Sequence, residues 1–344
     1  MTELVDKLAD LTALRDRDAL DIALVSTLND LVHPRTVAIC RVVGDVGNER
    51  WLTTAQMGAD QLTPTSDSAW SKLALLPKLA AHPLREQAVS SRQVMQTDGD
   101  ASVTVFPLTG NPGASGVLEI VTSEPLATES YRLVSGVLRL YLNFQNLLDY
   151  GERDALTELL NRKTFDGAFL KATIEQNLAA VNPQDDRRNL ACAAGSYWLA
   201  MLDIDHFKRV NDNFGHLIGD EVLLLLARLM RSSFRFHDQL YRFGGEEFVV
   251  LMRCNGESEA VGALERLRTT TAKHLFPQVG NITISIGFSE VKTGDTPSGA
   301  FERADKAVYY AKEHGRNQVS SYAALIARGE LVEQAANVGD MELF

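Results

Sequence analysis

The chain has 344 residues, 45% of them hydrophobic, and a formal net charge of −11. A chain of this length exceeds the usual range of a single hydrophobic core, so we expect two domains. The acidic balance argues against general binding to nucleic acids or anionic membranes, because both carry negative charge. No apolar run approaches the length that spans a bilayer.

The cysteines and the N-terminal residues predict a cytoplasmic protein. Cys40, Cys192 and Cys254 are odd in number and far apart, as expected of reduced thiols. Residues 1–6 lack the basic and apolar regions of a secretory signal peptide. We therefore expect a cytoplasmic protein that binds neither nucleic acid nor membrane.

Residues 1–127 carry helical and strand patterns in turn. Two helical patterns are followed by four strand patterns, at about residues 4–15, 18–32, 36–43, 51–55, 102–108 and 116–121. A strand pair, a variable middle, a second strand pair and a closing helix resemble a GAF sensor domain. A PAS-type sensor or a module that only dimerises fits the same pattern. The resemblance implies an unknown small ligand, or none, for this domain.

Residues 128–153 form one helical pattern without proline, which we expect to link the domains. Apolar side chains recur along it in alternating steps of three and four, at Val134, Val137, Tyr141, Phe144 and Leu148. This spacing is typical of a coiled-coil seam about two heptads long. An amphipathic helix packed on the first domain has the same spacing. We favour the seam, because a parallel dimer here would tie together the domains that follow.

An apolar run of strand length, residues 197–202, ends in two aspartates. Strand alternation puts Asp203 and Asp205 on one face and turns Ile204 the other way. Two carboxylates at a strand end repel each other unless a cation neutralises them. The pair therefore indicates a metal site, although a polar strand end is the simpler explanation.

Residues 241–251 contain two strand patterns separated by Gly244, Gly245, Glu246 and Glu247. Glycines allow tight turn geometry, so the segment predicts a β-hairpin with two carboxylates at its tip. Backbone without side-chain cover suits the close approach of a phosphate, with a cation bridging the charges. Glu246 or Glu247 would complete the metal site, and a few carboxylates with phosphate oxygens suit Mg²⁺.

Asn211 and Asp220 are an amide and a carboxylate that can together recognise a nucleobase edge. A carboxylate suits guanine, which presents two adjacent N–H donors. The alternative is that Asp220 only caps the N-terminus of a helix over residues 221–230.

Several motifs, in this order and spacing, resemble the GGDEF family of diguanylate cyclases. They are Asp203-Ile204-Asp205-His206-Phe207-Lys208, Asn211-Asp212, Gly215-His216, Gly219-Asp220 and Arg242-Phe243-Gly244-Gly245-Glu246-Glu247-Phe248, with glutamate at the third signature position. Further matches lie at residues 154–162, 283–287, 304–312 and 315–317. The resemblance covers about residues 154–322. We expect a sensor domain at residues 1–127, a helical linker at 128–153, the GGDEF domain at 154–325 and a tail at 326–344.

The resemblance implies an α+β fold, in which helices pack on a central, mostly antiparallel sheet similar to nucleotidyl-cyclase and polymerase palm domains. It implies that two GTP molecules are joined into cyclic di-GMP with release of two pyrophosphates. The active form would be a homodimer with one GTP in each domain. The cofactor would be Mg²⁺, with Mn²⁺ as an alternative, and the metal ligands correspond to Asp203, the backbone carbonyl of Ile204 and Glu246.

The resemblance also assigns the substrate contacts. Catalytic carboxylates correspond to Asp203, Glu246 and Glu247. The residues that correspond to guanine contacts are Asn211 and Asp220. Those that correspond to phosphate contacts are Phe207, Lys208, Lys312 and Arg316. His216 corresponds to one further substrate contact. Because Lys312 precedes Arg316 by four residues, the two would converge on a phosphate if both lay near the end of one helix. No core motif is degraded, so we expect an active enzyme.

An Arg-x-x-Asp motif runs from Arg235 to Asp238, and five residues separate it from Gly244. Its spacing resembles the family's inhibitory product site, in which cyclic di-GMP binds. Arginine can bind guanine or phosphate and aspartate can accept from guanine. Arg266 is a candidate second arginine of this site. A surface ion pair is the alternative.

Three other functions fit the same residues. The domain could bind GTP or cyclic di-GMP as a receptor without turning it over. It could be a cyclase with relaxed base choice that makes mixed GMP–AMP dinucleotides. The protein could also act mainly through interactions of its N-terminal domain.

Overall fold

The computed structural model describes residues 2–44, 47–67, 71, 73–108, 115–181 and 195–332. The chain divides into two compact units, Met1–Glu152 and Arg153–Phe344. Cys192 and residues 333–344 of the predicted tail lie outside the described residues. Cys40 and Cys254 are buried free thiols. Within the described part of the chain, no helix is long and apolar enough to cross a membrane.

The N-terminal unit is a five-stranded antiparallel sheet covered by helices. Its elements are α1 Thr2–Ala13, α2 Arg17–Val32, β1 Thr36–Val43, β2 Arg50–Gly58, α3 Pro83–Ser91, β3 Met95–Thr97, β4 Ser102–Leu108, β5 Gly116–Thr122 and α4 Thr128–Glu152. The strand order is β2-β1-β5-β4-β3. Strands β1 and β4 have the predicted bounds, because both are apolar β-favouring runs flanked by turn residues.

Helix α4 uses the predicted seam to complete the core of its own unit. Val134, Val137, Tyr141 and Leu148 are buried against the helix-facing side of the sheet, and Phe144 packs beside them. The interpretation of this face as a coiled-coil seam is therefore wrong, and the packed amphipathic helix is correct. Steps of three and four describe any apolar helix stripe, whether it meets a partner helix or a sheet.

A buried polar network fixes α4 against α2 and the sheet. The Arg41 guanidinium donates to Asp21 at 3.2 Å and to the Tyr141 hydroxyl at 2.5 Å. Tyr141 in turn donates to Asp21, and Gln145 and Thr54 donate to Tyr141 and Asp21 at 2.7 and 2.6 Å. Removing one partner of a buried pair leaves the other charge uncompensated, at a cost of about 3–5 kcal/mol.

The C-terminal unit is built on a six-stranded sheet in the order β13-β12-β7-β9-β8-β6. Its elements are β6 Leu160–Asn161, α5 Arg162–Val181, β7 Ser196–Ile204, α6 Phe207–Phe214, α7 His216–Ser233, β8 Gln239–Gly244, β9 Glu247–Cys254, α8 Glu257–Lys273, β10 Leu275–Phe276, β11 Gly280–Asn281, β12 Ile284–Glu290, α9 Pro297–Glu313, β13 Val319–Ser321 and α10 Tyr322–Ala327. The four inner strands pair antiparallel and the two edge strands pair parallel. This is the mixed, mostly antiparallel sheet that the sequence predicts.

One glycine allows helix α9 to lie directly on strand β12. A Cβ atom at Gly287 would lie 2.1 Å from the Val308 amide nitrogen and 2.4 Å from the Ala304 carbonyl oxygen. Both obstructing atoms belong to helix backbone, which cannot move aside as a flexible side chain would. The position of α9, and of the residues it carries, therefore depends on Gly287.

We expect Gly287→Ala to destabilise the protein by about 3 kcal/mol or more, because overpacking here displaces a whole helix. Gly262→Ala is the matched control, since a Cβ there meets nothing within 4 Å. In the interior of α8 this control should stabilise the protein by about 0.5–1 kcal/mol. Urea unfolding of the 344-residue chain measures both. Equal stability of the two variants would contradict the close approach of α9.

Candidate functional site

Acidic residues from three segments meet at the end of strand β7. In the strand register, Asp203 lies opposite Glu247 of β9 on one side and opposite Ser285 of β12 on the other. Glu246 occupies the turn between β8 and β9, just before Glu247. The predicted hairpin therefore delivers both glutamates beside Asp203, as the sequence indicates.

A lysine from α9 partly neutralises this cluster. The Lys312 ammonium lies 2.7 Å from an oxygen of Asp203. Burial raises the pKa of Asp203 above its ordinary value, although the hydrogen bond and charge of Lys312 act to lower it. Burial, and then the charge of Asp203, raise the pKa of Glu246. The site is thus short of positive charge, and a cation bound there would be stabilised.

The oxygen atoms at this site fit a hard divalent cation. Carboxylates of Asp203 and Glu246, with the backbone carbonyl of Ile204, form a small oxygen donor set that leaves coordination positions for water and phosphate, as Mg²⁺ prefers. Among the described residues no three His, Cys, Asp or Glu side chains form a metal-binding group.

Asp205 has a different environment from Asp203, although both end the same strand. The hydroxyls of Thr283 and Ser285 donate to its carboxylate at 2.6 and 2.7 Å. The backbone N–H of Asn317 donates to it at 3.0 Å. The carboxylate of Asp205 is thus occupied by protein donors, and only Asp203 stays with the acidic cluster.

The N-terminus of α6 lies directly after this strand end. His206 adopts a left-handed conformation with φ 61° and provides no side-chain cap for the helix. Phe207 is buried and anchors the first turn, while Lys208 is exposed. An uncapped helix N-terminus presents N–H groups and a partial positive charge, which suit a phosphate.

Asn211 and Asp220 come from the facing helices α6 and α7. A Cβ atom at Gly219 would lie 2.0 Å from Asn211 Oδ1, so the amide sits directly against the turn of α7 that precedes Asp220. Asp220 lies inside α7, four residues after His216, which begins the helix. The capping interpretation of Asp220 is therefore wrong, and its carboxylate is exposed.

The two basic residues predicted to bind phosphate differ in setting. Lys312 lies in the last turn of α9, whereas Arg316 lies beyond the end of that helix. Gly315, Arg316 and Asn317 have φ values of 107°, 61° and 45°. Left-handed backbone costs a non-glycine residue about 1–2 kcal/mol, so surrounding contacts must hold this turn. Arg316 therefore lies near the end of α9 but outside the helix, and its contact with phosphate stays a prediction.

The Arg-x-x-Asp motif forms a turn between α7 and β8. Asp238 accepts from the backbone N–H of Arg235 at 2.9 Å, and the Arg235 guanidinium donates to Glu259 of α8 at 2.5 Å. Arg266, also on α8, donates to the Ser233 carbonyl at 2.7 and 3.1 Å. The three predicted residues thus surround one turn, but both arginines already have protein partners.

Burial makes the acid of this turn unusual. The Asp238 side chain is 6% exposed, and its burial raises the pKa of the carboxyl to about 6. Burial, followed by the charge of Arg235, lowers the pKa of the neighbouring His237 to about 4. Near neutral pH the turn therefore holds a buried carboxylate beside a neutral imidazole.

Sequence reasoning missed Glu259, Thr283, Ser285 and Asn317 as partners of site residues. Thr283 and Ser285 alternate with apolar residues in a strand, so their hydroxyls on one face were a readable signal. Glu259 had no such signal, because its contact with Arg235 joins helices and turns that are distant in sequence.

Comparison with known proteins finds matches to the C-terminal unit. The family model described as Diguanylate cyclase, GGDEF domain matches residues 152–318. Diguanylate cyclase DgcP of Pseudomonas aeruginosa is 42% identical over 169 residues, which are 48% of this chain and 23% of that protein. Response regulator PleD of Caulobacter vibrioides is 37% identical over 188 residues, which are 53% of this chain and 38% of that protein.

Solved structures of GGDEF domains are similar to part of this chain. One of them is the crystal structure of the coiled coil and GGDEF domain of DgcB from Caulobacter crescentus in complex with c-di-GMP. The alignment covers 57% of this chain and 100% of that chain. Its sequence identity is 29% and its TM-score is 0.47. The matched segments span well under two thirds of the two curated relatives named above.

The raised pKa of Asp238 predicts a pH-dependent stability. Its folded-state pKa of about 6 exceeds the ordinary aspartate value of 3.8, so between these values the folded state binds more protons than the unfolded state. The contribution of Asp238 to the free energy of unfolding therefore falls as pH rises from about 4 to 7, by on the order of 3 kcal/mol. Asp238→Asn should match wild type near pH 4 and exceed its stability near pH 7.5.

Urea unfolding at several pH values measures this difference. The lowered pKa of His237 makes the free energy of unfolding rise with pH in the same range. This contribution cancels in the comparison because wild type and Asp238→Asn both contain His237. Asp166→Asn, which changes an exposed aspartate of α5, is the matched control. A stability difference between wild type and Asp238→Asn that stays constant with pH would contradict the burial of this carboxyl.

Proposed function

We propose, from the GGDEF domain that residues 152–318 form, that this protein joins two GTP molecules into cyclic di-GMP and releases two pyrophosphates. The observation that carries the proposal is the meeting of Asp203, Glu246 and Lys312 at the end of β7. A carboxylate pair with one ammonium suits the transfer of a nucleotidyl group, which needs oxygen ligands for a cation and a positive charge for phosphate.

In this proposal Asp203, Glu246 and the carbonyl of Ile204 would hold Mg²⁺ or Mn²⁺. The ion, when bound, neutralises the charge of the triphosphate. The Lys312 ammonium has three donors, so it can stay with Asp203 and also bind a phosphate oxygen. Its position at the end of α9 depends on the packing of that helix against β12.

The remaining contacts orient the nucleotide. Asp220, with an exposed carboxylate, would accept the two N–H donors of guanine, and Asn211 would bind the same base edge. His216 would add a further contact to the nucleotide. Phosphates would lie against the N-terminus of α6, at Phe207 and Lys208, and within reach of Arg316.

The reaction takes two transfers, one in each direction between the two GTP molecules, and each transfer forms one bond and breaks one bond at phosphorus. The 3′-hydroxyl oxygen of one GTP attacks the α-phosphorus of the other, and the bond from that phosphorus to the pyrophosphate oxygen breaks. The hydroxyl proton must leave, and Glu246 is the proposed acceptor. Burial raises the pKa of Glu246 when no cation is bound, but a carboxylate that also binds the cation is a weaker base, so a water molecule or a substrate phosphate oxygen is the alternative acceptor. Glu247 contributes negative charge that raises this pKa further.

We expect Glu246→Gln to lower cyclic di-GMP formation about 100-fold or more while the fold survives, because it removes a charge from the ion site and a proton acceptor. Glu302→Gln, on the exposed face of α9, is the matched control and should retain activity. Chromatography of the products from GTP measures the rate, and excess ATP in the same assay should not compete. Wild-type turnover by folded Glu246→Gln would overturn the proposed function.

A second part of the proposal is inhibition by product at Arg235 and Asp238. Cyclic di-GMP would bind the Arg235 guanidinium and the Asp238 carboxylate, with Arg266 nearby. Arg235 is already paired with Glu259, so the product must compete with that carboxylate. The affinity for product then depends on how much stronger the bond from Arg235 to cyclic di-GMP is than the bond from Arg235 to Glu259. It is weaker than it would be if Arg235 had no partner.

Arg235→Ala should therefore raise the cyclic di-GMP concentration that halves the rate by about tenfold or more, since a charged contact is lost. Glu259→Gln is the reciprocal variant and should lower that concentration, because it frees Arg235. Initial rates in the absence of product should equal wild type in both. Unchanged inhibition of stable Arg235→Ala would leave the motif as a surface ion pair.

A third part of the proposal is a homodimer formed through α4. The predicted seam is buried in the N-terminal unit, but a second apolar stripe on this helix is exposed: Leu140, Leu147 and Tyr150 are 44%, 67% and 90% exposed. Steps of seven and three match a helix-pairing stripe. A dimer with two-fold symmetry would bring two GTP-loaded domains together, as a product of two-fold symmetry requires.

Leu140→Glu with Leu147→Glu should shift the protein toward monomer and lower activity in parallel, because each buried leucine contributes about 1.5–3 kcal/mol to a pairing interface. Leu62→Glu is the control, since Leu62 is 97% exposed outside this helix. Sedimentation at several concentrations measures the association. Dimers of unchanged strength in the double variant would exclude this stripe as the interface.

The N-terminal unit would act as the regulatory part of the protein. We propose a GAF-like sensor whose state is passed on through α4, since this helix belongs to its core. A small molecule released on denaturing the purified protein, and identified by mass spectrometry, tests whether the unit holds a ligand.

A further inference from the structure

We infer that Asp205 is a positioning residue that fixes Arg316 for contact with the phosphates of GTP. The inference deepens the proposed function and rests on it, because Arg316 contacts phosphate only within that proposal. It assigns the second aspartate at the end of β7 a task unlike that of Asp203. Asp205 would act through the turn that follows α9, at residues 315–317.

The Asp205 carboxylate joins three separate segments of the domain. It accepts from Thr283 and Ser285 at the start of β12, at 2.6 and 2.7 Å, and from the backbone N–H of Asn317 at 3.0 Å. The backbone N–H of Asp205 also donates to the Thr283 carbonyl at 2.9 Å. The end of β7, the start of β12 and the turn after α9 are thus fixed to one buried group.

The turn that carries Arg316 is held on both sides of that residue. The Arg316 backbone N–H donates to the Ala311 carbonyl at 2.9 Å, and the next N–H, that of Asn317, is the one bound by Asp205. Arg268 of α8 donates to the Asn317 carbonyl and side chain at 3.3 and 2.9 Å. These contacts hold Arg316 and Asn317 in a left-handed backbone that such residues rarely adopt.

The Arg316 side chain is available, in contrast to its fixed backbone. It is exposed, and within the described parts of the chain its guanidinium makes no hydrogen bond or ion pair. The fixed backbone removes the cost of ordering the main chain on binding, and the unengaged guanidinium has its donors available for a phosphate.

A carboxylate is the group that this junction needs. Three donors converge on the two oxygens of Asp205, and an ionised carboxylate accepts at both. Thr283 and Asn317 donate to one oxygen of Asp205 and Ser285 donates to the other. Asparagine would keep one accepting oxygen, would turn its NH₂ group toward the Ser285 hydroxyl, and would remove the negative charge that strengthens all three hydrogen bonds. Asp205→Asn therefore loosens the junction with almost no change in volume.

The test measures nucleotide binding, so it does not depend on turnover. 3′-Deoxy-GTP and 3′-deoxy-GMP both lack the attacking hydroxyl and differ only in their terminal phosphates. Calorimetry in Mg²⁺ compares wild type, Asp205→Asn, Arg316→Ala and the double variant, with Asp166→Asn as the matched control. We expect Asp205→Asn and Arg316→Ala each to weaken 3′-deoxy-GTP binding about tenfold and 3′-deoxy-GMP binding less than about twofold.

The double variant decides whether Asp205 acts through Arg316. Binding of 3′-deoxy-GTP no weaker than in either single variant supports the inference, because a residue that only positions another adds nothing once the other is gone. Losses that multiply would overturn it, as would equal weakening of both nucleotides by Asp205→Asn. Asp205→Asn combined with Glu246→Gln should show multiplied losses, which separates this effect from one on the ion site.

Two further outcomes are distinguishable. Wild-type binding of both nucleotides by Arg316→Ala would remove Arg316 from the proposed phosphate site and overturn the inference, while cyclase activity stays a separate question. If Asp205→Asn does not fold, Arg268→Gln loosens the other side of the same turn. It should show the same selective loss and the same lack of additivity with Arg316→Ala, and unchanged 3′-deoxy-GTP binding would overturn the inference.

Discussion

Like charges crowded at the end of β7 are the constraint on which the C-terminal unit depends. Antiparallel pairing sets Asp203 opposite Glu247, and the tight turn brings Glu246 beside them. The ammonium of Lys312 lies 2.7 Å from an oxygen of Asp203 and partly compensates this charge. Burial raises the pKa of Asp203 and Glu246 because the charged carboxylates lose contact with water, and the neighbouring carboxylates raise it further. A bound cation would reduce the repulsion between these carboxylates, and a cation is also what the proposed reaction needs.

The other parts of the unit keep this crowded strand end in place. Gly287 lets α9 approach β12 so closely that Lys312 reaches Asp203. Asp205 accepts three donors and joins β12 to the turn after α9. Two aspartates separated by one residue therefore have different surroundings: Asp203 lies with the acidic cluster and Lys312, whereas Asp205 accepts from three protein donors.

Much of this architecture is readable from the sequence, because strands and glycine turns have strong local signals. The hairpin at residues 241–251 and the strand that ends in Asp203 form as predicted. The division of labour between Asp203 and Asp205 was not readable, because it depends on which hydroxyls and N–H groups the fold brings near. The left-handed turn at Arg316 was missed for a related reason, since long-range contacts override the local preference of arginine and asparagine.

The prediction that the apolar stripe of α4 is a coiled-coil seam was wrong, and the difference matters for how the N-terminal unit would regulate the protein. Periodicity located an apolar stripe but could not say what covers it, and Tyr141 proves to be part of a buried network with Asp21 and Arg41. Rotating α4 against its own unit would break that network, at about 3–5 kcal/mol. A ligand could drive such a rotation only with an equal difference in its affinity for the two states. Movement of α4 together with its unit keeps the network intact and carries the exposed stripe at Leu140 and Leu147 along with it. The same helix thus serves a core on one face and the proposed partner on the other, so a modest change in the N-terminal core alters the proposed pairing surface directly.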